Sequence, residues 1–184
     1  MRCWAAEAAA SGKGGQARTV LAIFWHSRTG GAQAMAMAAL EGACGGDSDG
    51  DGEGARLIRA ADAQPDDFLA ASGFLFACPE NLASMTGMMK EMFDRCYYPA
   101  LGRIEGRPYA TMIAAGSDGS GAQAQIDRIV TGWRLRRVAA PLIVNFSAQT
   151  PAAIQAAKQL HAQDRDACSA LGAALSEGIR LGIF

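Results

Sequence analysis

Two hydrophobic periods alternate along the chain. Residues 19–25 form an unbroken run of apolar and β-branched side chains, the composition of a strand buried on both faces. A Ser-Arg-Thr-Gly-Gly turn follows. Ala32, Met35, Ala36, Ala39, Leu40 and Ala43 then recur at helical spacing and mark one face of a helix. The same alternation repeats downstream. Strands are expected at 55–59, 73–78, 109–115 and 141–145, and Pro141 puts the last at a sheet edge or delays its start. Pro65 opens a helical turn over 65–71. Met85, Met88, Met89, Met92, Phe93, Cys96 and Tyr97 trace a second helix face, with methionine as core filler. Ile126, Ile129, Val130 and Trp133 face inward from a third helix. The tail from Pro151 reads as helical, with Cys168, Leu171, Leu175 and Ile179 on one side.

This order predicts an α/β fold: a five-stranded parallel sheet with helices on both faces and right-handed crossovers. Ligands of such sheets bind beyond the carboxyl ends of the strands. Three loops, at 26–32, 79–85 and 115–121, are therefore expected to converge there. In the first, glycines let the backbone come close to a ligand and the amides opening the helix point outward. Ser27 and Thr29 add hydroxyls and Arg28 adds charge, which together make a phosphate cradle. Taken alone, the loop reads equally well as an ordinary turn with Thr29 as helix N-cap.

Composition narrows the function classes. A chain of 184 residues with a net charge of −1 fits one domain and gives no electrostatic case for nucleic acid or an anionic membrane. No apolar run approaches membrane-spanning length. Five scattered cysteines without a C-x-x-C fit reduced thiols in the cytoplasm. Residues 1–18 read as a flexible extension ahead of a domain at 19–184. Asp47, Asp49, Asp51 and Gly52 imitate the start of a calcium loop, but Ile58 stands where its bidentate glutamate belongs, so no metal site is expected. The stretch from Ser11 to Gly15 lacks the preceding strand and the hydroxyl after lysine that a nucleotide P-loop needs.

The block from Pro79 to Arg95 carries a more specific likeness. Pro79-Glu-Asn-Leu-Ala-Ser-Met85 leaves a central strand and opens a helix containing Phe93-Asp-Arg95. It resembles the flavodoxin-like NAD(P)H-dependent FMN and quinone reductases of the tryptophan-repressor-binding-protein type, and the first loop resembles the flavodoxin phosphate loop. The likeness spans residues 19 to about 181. It implies a doubly wound sheet of order 2-1-3-4-5 and non-covalent FMN. Ser27, Arg28, Thr29, Gly30, Gly31, Ala32 and Gln33 would then hold the phosphate, with Ala32 where the family usually has a hydroxyl. Pro79, Glu80, Asn81, Leu82, Ala83, Ser84 and Met85 would run along the flavin ring, and Gly116, Ser117, Asp118 and Gly119 would flank its other edge. His26 either touches the phosphate or simply packs.

The implied activity passes a hydride from NAD(P)H through the flavin to a quinone or similar small acceptor. No protein nucleophile, general base or metal is needed. A homodimer or homotetramer is implied, with Tyr97-Tyr98-Pro99 as a contact. The alternatives are a flavodoxin-type electron carrier without direct NAD(P)H activity, or a binding protein that has lost useful flavin affinity. A near-neutral charge, and a Leu82-Ala83 segment without aromatics, speak against the carrier.

Overall fold

The computed structural model describes residues 20–45 and 54–184; the N-terminal extension, the Ser11–Gly15 stretch and the calcium-loop imitation at 47–52 lie outside the described residues. Strands β1 (Leu21–Trp25), β2 (Ala55–Arg59), β3 (Gly73–Asn81) and β5 (Pro108–Ala115) pair in parallel in the order β2-β1-β3-β5. In register, Ile23 lies opposite Leu57 on one side and Leu75 on the other, and Cys78 lies opposite Ile113. Helices α1 (Gly31–Cys44), α2 (Pro65–Ala70), α3 (Gly87–Ala100) and α4 (Ser120–Gly132) separate the strands. This is the expected flavodoxin-like doubly wound arrangement.

The period of two along each strand sorts side chains into two cores. Phe24, Phe74 and Phe76 project towards α2, α3 and α4, where they meet Phe68, Phe93 and Trp133. The rings of Phe24 and Phe68 stack with centroids 4.1 Å apart. Leu21, Ile23 and Leu75 project the other way, onto Met35, Ala36 and Ala39 of α1 and onto Cys168, Leu175 and Ile179. The last three belong to α6 (Ala162–Arg180), which crosses α1 at backbone contact. A Cβ on Gly42 would collide with the Ser169 carbonyl, and one on Gly172 with the Ala39 carbonyl.

Four expectations are corrected. The fifth strand is two fragments sharing one edge of β5: β6 (Arg136–Arg137) beside Pro108 and Tyr109, and β7 (Leu142–Asn145) beside residues 112–115. Pro141 lies in the gap between them and has no amide hydrogen for a ladder bond. The tail is not one helix, because α5 (Pro151–Gln155) ends well before α6 begins. Residues 79–85 are not an open loop. β3 runs on to Asn81 and turns back as β4 (Ser84–Met85), pairing Glu80 with Met85 and Asn81 with Ser84. Met85 therefore lies on a strand rather than a helix, and Met88 is 42% exposed instead of filling the core.

The glycine crossing generates the first expected outcome. Gly172→Ala forces α1 and α6 apart and lowers stability by about 1–3 kcal/mol or more, read as a reduced midpoint in urea denaturation. An unchanged midpoint would mean that the two helices are not in contact at this point.

Candidate functional site

The three loops leave from the carboxyl ends of β1, β3 and β5, which are adjacent and parallel, so all three lie along one edge of the sheet. The first is pinned at both flanks. The His26 amide donates to the Ala77 carbonyl at 3.0 Å, and the Thr29 carbonyl accepts from the Lys158 amide at 2.7 Å. Gly30, rather than Thr29, is the N-cap of α1 and takes the left-handed conformation (φ 91°) that glycine adopts without strain. Its amide donates to Ser27 Oγ at 3.0 Å, which leaves the Ser27 hydroxyl hydrogen available to another acceptor. The first α1 bond runs from the Ala34 amide to the Gly30 carbonyl, so the amides of residues 31–33 have no acceptor within the helix. The first turn contains no acidic residue. Gly31 is confined on its other side, where a Cβ would press on the Phe146 ring at 3.0 Å and on the Lys158 Cβ at 3.3 Å.

Of the remaining phosphate-loop candidates, Arg28 and Gln33 are exposed and Thr29 is half-buried. Ala32 is buried, with its methyl in the core beside α6, so it offers only its amide. A turn of this form, with free amides, one free hydroxyl and an adjacent arginine, fits a phosphate monoester.

The second and third loops are bound to each other through one carboxylate. Glu80 accepts from the Gly119 amide through Oε2 at 2.8 Å, and from the Gly121 and Ala122 amides through Oε1 at 3.0 and 3.1 Å. It thus serves as the cap that α4 lacks in its own sequence, where Gly119 is the N-cap without a side chain. The Gly119 amide is committed to Glu80 in this way. At the hairpin tip, Leu82 and Ala83 both have positive φ (52° and 55°), as a two-residue type I′ turn requires, although neither is glycine or asparagine. Leu82 is fully exposed. Asn81 and Ser84 are half-buried at the base of the hairpin, and the Met85 amide donates to Gln125 Oε1 at 3.0 Å.

Behind these, the Asn145 side chain donates to the Ser117 carbonyl and accepts from the Ser147 amide at 2.8 Å. Gly116 lies against the Ala148 carbonyl, Pro79 pairs with Ala114, and Asp118 accepts from the exposed Ser120 hydroxyl.

Sequence reasoning missed several of these supports. Thr86, whose hydroxyl caps α3 by accepting from the Met89 amide at 3.4 Å, carries the ordinary threonine cap signal. Phe146 and Lys158 carry none, because their role depends on where the interrupted tail returns to the sheet.

Burial raises the thiol of Cys78, directly below the hairpin, to about 12, so it stays protonated and is no nucleophile at neutral pH. Cys96 and Cys168 are buried likewise, while Cys44 is exposed. Among the described residues no group of His, Cys, Asp and Glu is placed to hold a metal ion, and no helix is long and apolar enough to cross a membrane. Among the described residues the buried His26 Nδ1 has no hydrogen-bond partner. Its imidazole is held below the ordinary 6.5, first by burial and then by the charges of Arg28 and Arg59.

A parallel sheet of this order, with a glycine-cornered anion cradle on its first helix, defines a flavodoxin-like protein. The sequence profile described as NADPH-dependent FMN reductase matches residues 49–151, more than half of the chain. The chain belongs to the NADPH-dependent FMN reductase family, a flavodoxin-like oxidoreductase family with FMN as cofactor and NADPH as reductant. No curated protein matches it.

Solved structures share the fold at low identity. A flavodoxin from the domain Archaea is 16% identical with a TM-score of 0.69, the match covering 88% of this chain and 99% of that one. A WrbA-like flavodoxin from Agrobacterium tumefaciens is 15% identical with a TM-score of 0.67, covering 89% and 98%. The Flv1 flavodiiron core from Synechocystis sp. PCC6803 is 13% identical with a TM-score of 0.70, covering 90% of this chain and 37% of that one.

Two outcomes are expected. Glu80→Gln removes the charge and one acceptor from the α4 amides, and lowers stability by about 1–2 kcal/mol. Hydrogen exchange at the Gly121 and Ala122 amides would speed up, and unchanged protection there would refute the cap. For His26, the folded pKa lies below the unfolded value, so the unfolded chain binds the proton more readily and stability declines as pH falls below 6.5. An NMR titration should place the His26 midpoint below 6.5 and move it upwards in Arg28→Ala.

Proposed function

We propose that this protein is an FMN-dependent oxidoreductase that passes a hydride from NADPH through the flavin to a quinone or a similar small acceptor. The observation that carries the reading is the unequal treatment of two helix starts on one sheet edge. Three amides at the start of α4 are taken by Glu80, while those opening α1 have no such carboxylate and would receive an incoming anion. Ser27, Arg28, Thr29, Gly30, Gly31, Ala32 and Gln33 would hold the FMN phosphate: residues 31–33 through amides, Ser27 through its hydroxyl and Arg28 through its charge. The backbone of Pro79, Glu80, Asn81, Leu82, Ala83, Ser84 and Met85 would line one side of the ring, and Gly116, Ser117, Asp118 and Gly119 its far edge. Glu80 would act there by locking the two walls together. When bound, FMN supplies the two-electron chemistry, so the protein needs only to position it and leave one face open.

One open face shared by reductant and acceptor implies ping-pong kinetics. The exposed Tyr98 and Leu101 at the end of α3 give a second copy an apolar edge to pack on, in keeping with a homodimer or homotetramer.

Purified protein titrated with FMN should gain bound flavin absorbance, bleach on anaerobic addition of NADPH, and give parallel double-reciprocal plots with a quinone as second substrate. Bleaching only through a separate reductase would make it a carrier. Ser27→Ala removes the acceptor for Gly30 and one phosphate donor, and should weaken FMN binding about tenfold. Unchanged affinity would place the phosphate elsewhere.

A further inference from the structure

Over the β1–β2 side of the same sheet edge lies a cleft of about 400 Å³, lined by Trp25, His26, Ser27, Gln33, Arg59 and Met88 together with the turn after β2. None of its lining residues is acidic. The Arg59 guanidinium stands 5.9 Å from the centroid of the Trp25 ring. Among the described residues its ion-pair partner is Asp62, 3.9 Å away, and both side chains are about two-thirds exposed (66% and 69%), a pairing too loose and too wet to occupy the cation. Among the described residues the buried His26 Nδ1 has no hydrogen-bond partner, and such an atom costs stability unless a ligand supplies the missing bond. Gln33 contributes an exposed amide. Met88, 42% exposed at the start of α3, adds an apolar surface that core packing does not use.

A cation, an imidazole, an amide, an aromatic ring and a thioether are together the chemistry that receives a nucleotide carrying a phosphate monoester. In the reading above, the Gly30–Gly31 turn would serve one phosphate through backbone amides. Arg59 stands one strand further out, at the end of β2, where a second phosphate would be met. NADPH differs from NADH only in the 2′-phosphate of its adenosine, and an arginine placed against that group is a direct way to prefer NADPH.

We propose that this cleft receives the adenosine end of NADPH, with Arg59 and His26 reading its 2′-phosphate and with Trp25 and Met88 flanking the nucleoside. The assignment rests on the FMN reductase reading above. The shared chemistry is a phosphate monoester, which the flavin also carries, and the test separates the two sources.

FMN-loaded protein is titrated calorimetrically with 2′,5′-ADP and with 5′-ADP, and apo protein is titrated with FMN by fluorescence. The wild type should bind 2′,5′-ADP at least about tenfold more tightly than 5′-ADP. Arg59→Ala should abolish that preference and leave FMN affinity within about twofold, with Arg59→Lys restoring part of the preference. Arg59 is on an exposed strand position, so both variants should keep the wild-type circular dichroism. Equal binding of the two nucleotides by the wild type overturns the assignment, and if that protein is still bleached by NADPH the reductase reading stands. A preference that survives in Arg59→Ala, with FMN affinity lost instead, hands the cation to the flavin phosphate and also overturns it. Failure to take up FMN at all overturns the reductase reading, and this assignment with it.

Discussion

A parallel sheet imposes one electrostatic constraint on everything built upon it: every returning helix brings its positive end, with unpaired amides, to the same edge. The protein meets that constraint differently at its two central helix starts. At α4 it spends a carboxylate, Glu80, whose two oxygens take three amides. At α1 it supplies no acidic residue, only a glycine corner braced by Ser27, Lys158 and Phe146. Of these two helix starts, only the one at α1 is left without a carboxylate. The carboxylate that closes the other also ties the β3–β4 hairpin to the loop after β5. Capping of α4 and the joining of the two loops thus come from the same few hydrogen bonds.

The framework was legible because it depends on local periodicity. The run 73–78 is apolar throughout and 109–115 is interrupted only by Thr111, and a strand buried on both faces has few other compositions open to it. The glycine corner at 30–31 was legible for a similar reason, since few residues other than glycine hold φ near 90° without strain. The hairpin was not. Its tip is Leu82-Ala83, with none of the Asn-Gly character that normally announces a type I′ turn, and the pairing of Glu80 with Met85 and Asn81 with Ser84, the anchoring of Glu80 and the Met85–Gln125 bond hold it in place. Each left-handed non-glycine residue costs about 1–2 kcal/mol, so the tip is maintained by tertiary contacts rather than by its own preference. The interruption of the tail was hidden as well. No glycine or proline lies between residues 156 and 161, and the break is made by Lys158 folding back on the carbonyls of Ala153, Ile154 and Ala156.

The two faces of the sheet are packed by different means. On one, aromatic rings from β1, β3, α2, α3 and α4 interlock. On the other, alanine and glycine let α1 and α6 approach to backbone contact. Helix α1 belongs to this tighter face. Its first turn therefore packs through Gly31 and Ala32, small residues with no rotamer to change.

The divided fifth strand has a consequence for the molecule among its neighbours. An uninterrupted outer strand offers a ladder of open amides and carbonyls on which another chain can polymerise. Here that border is cut into a two-residue and a four-residue piece, with Pro141 in the gap, and the opposite border is a short strand bearing exposed Arg56 and Arg59. Neither margin presents the long, flat, uncharged template that fibril growth requires, so the sheet is protected against intermolecular strand addition by the same irregularities that blurred its outline in the sequence.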